Sequence, residues 1–370
     1  MARKLAMILA AFLAGAWLGA AEQDRVIVVV GTNSPADAEA INAAIAQSPE
    51  GAEIVFRGQF LLTQPVRLLG NRTYRGESRT GTVFKQADGA NLPALMASSV
   101  YLDNQPWTGT PIAVRHLTLN GNREKNAESR TVGLALRSWL SVVEDLLIIG
   151  MPGDGLLITS LSADGTGLQT TQVNGRVSGC LIEGCSGHGV HVQDPGNSVT
   201  DWILSDNWIA SSGADAIHLE NAAGWVVERN HIYGVGQHAI YAHRLFASTI
   251  CDNYIEGFGE GNEAGTWCGI WASLQGGAAS TIAHNRIFNF AGERHPDSEY
   301  RYISLTVNYG TGLAVVTGNA ILGAGTPRGI GLHFSAPEGR AMKIVSTANA
   351  VEQVHTPRFV GPGVTVTAGQ

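Results

Sequence analysis

One phrase recurs along this chain: a short β-rich run that ends in asparagine, then one residue, then isoleucine. It reads WILSDNWI around Asn207, WVVERNHI around Asn230, STICDNYI around Asn253, STIAHNRI around Asn285 and LAVVTGNAI around Asn319. The asparagines are 23, 23, 32 and 34 residues apart. Second apolar runs, GLLIT, GVHVQ, AIHLE, AIYAH, GIWAS and GIGLHF, alternate with this phrase after glycine-containing turns. Repeats of this length with no helical spacing between strands describe a solenoid of stacked coils. The longer intervals put insertions in loops.

Stacked coils bring the same position of successive repeats to roughly 4.8 Å from one another. An asparagine in that column can hydrogen-bond to the amides above and below, and its tolerance of left-handed backbone suits a turn. These asparagines are therefore read as structural. Charged residues make up 15% of the chain and glycines number 46, which disfavours a helical bundle and favours turn-rich β structure. A net charge of −7 without a basic stripe excludes nucleic acid as a partner.

Residues 1–21 have the layout of a secretory signal peptide: Arg3 and Lys4, a short apolar run, then Gly19, Ala20 and Ala21. The run is shorter than a spanning helix needs. The expectation is a secreted or periplasmic protein with no membrane span in its mature form. Residues 22–109 are read as an N-terminal cap and first coils, and 110–370 as the repeats. Ser34-Pro35, Asp37 and the apolar positions Ala38, Ile41, Ala44 and Ile45 predict one amphipathic helix, the only convincing one after the leader. Strands are expected around 53–56, 66–69 and 82–85. Cys180, Cys185, Cys251 and Cys268 can be free thiols or form a local disulfide, Cys180–Cys185 or Cys251–Cys268. With no CxxC pair, a cysteine zinc site is not expected.

The repeated phrases resemble those of right-handed parallel β-helix proteins of the pectin lyase-like superfamily. The opening DAEAINAAIAQSPEGAEIVFRGQFLL is similar to the capping helix and first strands of the polygalacturonase-related branch, glycoside hydrolase family 28. The resemblance implies an all-β, single-stranded right-handed parallel β-helix with an N-terminal capping helix. It also implies catalytic residues just before the second strand of successive coils. Here that turn position holds Asp154, His188, Asp215, His238 and Cys268. Asp215 followed by His238 looks like a reduced form of the family's aspartate-then-histidine order. The family's double aspartate, N-T-D and R-I-K phrases are absent.

Strand alternation sorts the remaining residues. Leu156, Val190, Ile217, Ile240 and Ile270 point inward. Leu157, His191, His218, Tyr241 and Trp271 point outward, followed by Thr159, Gln193, Glu220, His243 and Ser273. Such a concentration of histidines, carboxylates and aromatics reads as a binding or catalytic face. Asp154 and Asp215, two coils apart, fall roughly 9–10 Å apart by strand spacing. That approaches the separation for acid and base in inverting glycoside hydrolysis.

The leading expectation is thus a glycoside hydrolase acting on a polysaccharide. Asp215 is its acid, with a pKa raised by flanking Ala214 and Ala216; His188 and His238 tune it. Asp194 and Glu220 form a second candidate centre beside His243. Tyr241 and Trp271 stack on sugar rings, and His191, His218, His243 and Arg244 bind substrate. Alternatives are a polysaccharide lyase, with Tyr241 or His243 as base and Ca²⁺ possible, a sugar transferase, or a non-catalytic binding solenoid. A metal site from His191, His218 and Glu220 or His243 is geometrically possible. Since stacking alone gathers histidines, no metal or other cofactor is expected. A homotrimer is a further expectation, because exposed apolar sides of solenoids often associate. The insertions at 120–130 and 291–301 read as solvated loops that can also wall a groove.

Overall fold

The computed structural model describes residues 25–290 and 293–368, so the expected leader lies outside the described residues. Three parallel sheets of 13, 11 and 11 strands run the length of the chain. Sheet A extends from Val26–Val30 to Val364–Thr367, sheet B from Gln59–Leu62 to Ala350–Glu352, and sheet C from Val66–Leu68 to Thr356–Val360. Each coil gives one strand to each sheet. Val226–Glu228, His231–Tyr233 and Ile240–Leu245 form one such coil, laid in parallel register on the coil before. This is a right-handed parallel β-helix, and the coils before residue 110 share its three sheets.

The interior is built from columns. In sheet B the register aligns Ile182, Ile209, Ile232, Ile255, Ile287 and Ile321. In sheet C it aligns Leu156, Val190, Ile217, Ile240, Ile270 and Ile303. All twelve are buried. Each fully buried aliphatic side chain contributes about 1.5–3 kcal/mol, and a one-residue slip would expose a whole column.

Between sheets A and B the repeated asparagines form a continuous ladder. Asn207 Nδ2 donates to Asn230 Oδ1 (2.9 Å), Asn230 to Asn253 (3.0 Å), Asn253 to Asn285 (3.0 Å), Asn285 to Asn319 (3.0 Å) and Asn319 to Asn349 (2.8 Å). Each Nδ2 also donates to a backbone carbonyl within the preceding coil's sheet A strand, as Asn253 does to Val227. Each Oδ1 receives a backbone N–H as well, so these buried amides are fully engaged. The left-handed residue is not the asparagine, as expected from its tolerance, but the one before it. Asp206, Arg229, Asp252 and His284 have φ between 51° and 59°. That residue makes the corner and leaves the asparagine side chain aimed inward. Earlier coils place Leu117, Leu146 and Cys180 in this column.

The predicted helix is α1, Asp37–Gln47, and it buries Ala38, Ile41 and Ile45 against the first strands of all three sheets. A second helix, α2 (Ser99–Leu102), escapes prediction because four residues carry no periodicity. Its Tyr101 and Leu102 cover an apolar patch of Ala97, Ala135 and Leu157 on the outer face of sheet C. The four cysteines are free. Burial pushes the Cys180, Cys185 and Cys268 thiols up to about 12, so they are inert packing residues.

Asn253→Ala removes two rungs and leaves the buried Asn230 backbone N–H and one Nδ2 hydrogen without their acceptor. We expect a loss of roughly 2–4 kcal/mol, read as a lower midpoint in thermal unfolding followed by circular dichroism. An unchanged midpoint would show that the ladder does not hold the coils together.

Candidate active site on the outer face of sheet C

The register of sheet C fixes one outward column: Ala97, Ala135, Leu157, His191, His218, Tyr241, Trp271, Ser304, His333 and Phe359. Its first members are apolar and lie beneath α2, and Leu157, expected to be outward, is part of that buried cluster. The column becomes polar where this cover ends.

The turn column is itself a ladder, alternating aspartate and histidine. Asp154 Oδ1 accepts the His188 N–H (2.8 Å), and His188 Nδ1 accepts the Asp215 N–H (3.2 Å). Asp215 Oδ1 accepts the His238 N–H (2.8 Å), and His238 Nδ1 accepts the Cys268 N–H (3.1 Å). These partners assign the tautomers: His188 and His238 accept at Nδ1, so in their neutral form the proton sits on Nε2.

The second oxygen of each aspartate holds a different histidine. Asp154 Oδ2 lies 2.7 Å from His191 Nδ1, and Asp215 Oδ2 lies 2.7 Å from His218 Nδ1. An ionised carboxylate only accepts, so both imidazoles donate from Nδ1 and, in their neutral form, keep a lone pair on Nε2. The rings of His188, His191 and His218 cluster with centroids 4.5–5.2 Å apart.

These contacts overturn the reason for choosing Asp215 as an acid. Burial acts to raise its pKa, but the hydrogen bond from His218 and the three histidines around it outweigh burial and leave it lowered. Asp154 follows the same pattern: burial raises, the His191 contact and His188 lower, and the result is below the usual value. Both are ionised groups that orient histidines. Burial depresses His188 to about 4 and lowers His238 as well, so both are neutral near pH 7.

Asp194 and Glu220 do not form a second centre. The Asp194 carboxylate is fully buried and accepts the N–H groups of Ser198 and Val199. Glu220 Oε2 accepts the Asp194 N–H (2.7 Å), and among the described residues Oε1 has no hydrogen-bond partner. His243 donates from Nδ1 to the Glu220 carbonyl (3.1 Å), and its Nε2 lies 3.4 Å from Asn308 Nδ2. Arg244 sits at a bulge with φ 56° and donates from Nε to Gln275 (2.8 Å).

Tyr241 cannot stack on a sugar. Both faces are occupied, by His218 at 4.4 Å and Trp271 at 4.4 Å, each near parallel. Only its edge and hydroxyl remain, and half-buried Trp271 has His243 parallel to it as well, at 6.2 Å. Two cavities flank the histidines. One of about 570 Å³ is lined by Glu128, Arg130, Asp154, His188 and His191, so the insertion at 120–130 does wall the site. The other, about 370 Å³, is lined by His218, Glu220, Asn221, Tyr241, His243 and Arg244. Sequence reasoning missed Glu128 and Arg130 as cavity residues; the only signal was the insertion's charge. Trp267, packed on His238 at 5.6 Å, was missed as well.

Among the described residues, three groupings bring one potential metal-ligating atom per residue within 4.8 Å: Asp154/His188/His191, His188/Asp215/His218 and His191/His218/Glu220. In the first two, the aspartate already uses both carboxylate oxygens in the hydrogen bonds above. Only the third keeps a free atom on every member.

A family model described as a right-handed β-helix region matches residues 142–325. No curated protein matches the chain in sequence. Among solved structures, the mannuronan C-5 epimerase AlgE6 A-module of Azotobacter vinelandii is 17% identical, with a TM-score of 0.52 over 90% of this chain and 96% of that one. The DFA-IIIase of Arthrobacter chlorophenolicus A6 is 13% identical, with a TM-score of 0.53 over 94% of each chain. The Dettilon tailspike protein is 14% identical, with a TM-score of 0.56 over 90% of this chain and 69% of that one. At these identities the likeness is one of fold.

His188 stays neutral in the folded chain down to about pH 4, while an unfolded imidazole protonates near 6.5. Between those values the unfolded state binds more protons, so stability falls as pH drops from 6.5 to 4. The full shift corresponds to on the order of 3 kcal/mol. Glu293, raised to about 7 by burial, works in the opposite direction, so a variant must isolate the effect. His188→Gln should flatten the fall in melting temperature over this window; an unaltered slope would remove His188 as its source.

Proposed function

We propose that this right-handed parallel β-helix, a pectin lyase-like fold, is an exported enzyme acting on an acidic polysaccharide by β-elimination at a uronate residue. One observation carries the reading: His191 and His218 each give Nδ1 to a buried or half-buried aspartate and leave Nε2 free beside the cavities. A carboxylate behind an imidazole fixes its tautomer and stabilises the cation formed on proton uptake.

Elimination needs a base for the C–H next to the uronate carboxylate, a cation near that carboxylate, and a proton for the leaving oxygen. His218 Nε2 takes the proton, the C–H electrons form the new double bond, and the glycosidic C–O bond breaks. Tyr241 is suited to protonate the leaving oxygen. Burial, with the charges of Asp215 and Glu220, raises its pKa and keeps the hydroxyl protonated. Arg130 and Arg244, one in each cavity, supply positive charge for acidic sugars. The epimerase among the similar folds is named for inverting C-5 of mannuronan, which agrees with proton transfer at a sugar carbon.

Glycoside hydrolysis is the second reading, favoured by the two-coil separation of Asp154 and Asp215 on sheet C. Its difficulty is that both carboxyls are held ionised, leaving no carboxylic acid there to protonate a leaving group.

The test is a panel of acidic and neutral polysaccharides, following reducing ends and the ultraviolet absorbance of unsaturated products together. We expect both signals to rise on a uronate polymer, and His218→Ala and Asp215→Asn each to lower kcat by about 10²–10⁴-fold. Reducing ends alone would replace elimination by hydrolysis. Neither signal across the panel would reject catalysis on polysaccharides.

A further inference from the structure

We infer that His191, His218 and Glu220 form a site for one divalent transition metal of the zinc type, whose occupancy withdraws the proton acceptors of the proposed elimination. The first part stands on geometry alone; the second rests on the function proposed above.

One ligating atom from each of the three residues lies within 4.8 Å of the others. Four-coordinate zinc with bonds of 2.0–2.1 Å places its ligands roughly 3.4 Å apart, so small side-chain rotations close the set. Each residue is also held from behind. His191 is fixed by Asp154 (2.7 Å), His218 by Asp215 (2.7 Å), and Glu220 by the Asp194 N–H (2.7 Å). Metal-binding imidazoles characteristically pass their other N–H to a carboxylate, which fixes the ring and strengthens the ligand. Here both do so, and the third ligand is likewise braced.

The neighbouring groups sharpen the assignment. His188 is spent at Nδ1 on the Asp215 N–H and, in its neutral form, presents Nε2–H, a donor. His243 is engaged at Nδ1 by a carbonyl and approached at Nε2 by Asn308. Two imidazoles and one carboxylate suit zinc, copper, nickel or cobalt; calcium demands six or more oxygens, which this trio does not offer. Three protein ligands leave a fourth position for water or a sugar oxygen.

A lone pair cannot hold a metal and accept a proton at once. Metal on His191 and His218 therefore blocks the base, and zinc should inhibit rather than support elimination.

The experiment uses the untagged chain, stripped with chelator, in isothermal titrations with zinc chloride and with calcium chloride. One zinc per chain is expected, with no comparable calcium binding. His191→Ala and Glu220→Gln should weaken zinc at least tenfold, and Asp154→Asn, one residue removed from the metal, by about 10–100-fold. Circular dichroism establishes that each variant is folded. Absence of zinc binding to the folded chain, or equal binding by His191→Ala and Glu220→Gln, would overturn the site. On a polysaccharide that is turned over, zinc should abolish activity and chelator restore it; faster turnover with zinc would overturn the exclusion. Zinc binding without turnover of any polysaccharide upholds the site and rejects the enzymatic reading.

Discussion

Parallel backbone pairing in sheet C is the constraint on which the rest depends. Because Leu156 lies on Val190, Val190 on Ile217 and Ile217 on Ile240, the residues between them are delivered to one outer column. A slip of one residue, as on the coil of Ile217 and His218, would bury the histidine and expose the isoleucine, losing core burial and site together. From the coil of Asn207 and Ile217 onward, the asparagine ladder locks that register from the opposite side, through rungs of 2.8–3.0 Å.

The aspartates of the turn column join scaffold to chemistry. Asp215 caps a backbone N–H of the next coil with one oxygen and fixes His218 with the other. Asp154 does the same for His188 and His191. A carboxylate so employed remains ionised despite burial, because the hydrogen bonds and adjacent imidazoles outweigh desolvation. The consequence is a site whose open basic atoms are imidazole nitrogens, with carboxylates behind them. Stacking has a cost as well: the regular spacing that gathers aromatics makes them cover one another, so Tyr241 offers an edge where a sugar platform needs a face.

Much of this was legible in the chain. The spacing of Asn207, Asn230 and Asn253 marks coils of fixed length, and the alternation in GVHVQ, AIHLE and AIYAH assigns His191, His218 and Tyr241 to the outside. The turn position of Asp154, His188, Asp215 and His238 is legible by the same alignment. Less legible were short elements and side-chain partners. Helix α2 is too brief to show a period, yet it decides that Leu157 is buried. Asp194 reads as an acid beside Glu220, but its carboxylate turns into its own loop to meet Ser198 and Val199. Neither neighbour's alanine could reveal that Asp215 is held ionised, since the groups responsible lie on three coils.

The sequence by itself determined the solenoid, its coil length, and which residues face in or out. Those properties follow from local alternation and from columns that repeat, both written linearly in the chain. Only the tertiary structure decided which atoms of those residues are free. Whether His188 accepts or donates at Nδ1 depends on the Asp215 N–H 27 positions away, and the ionisation of Asp215, beside its local bond to His218, draws on His188 and His238 of the neighbouring coils. Such contacts exist only once the coils are stacked, and they turned a face of polar residues into two oriented imidazoles.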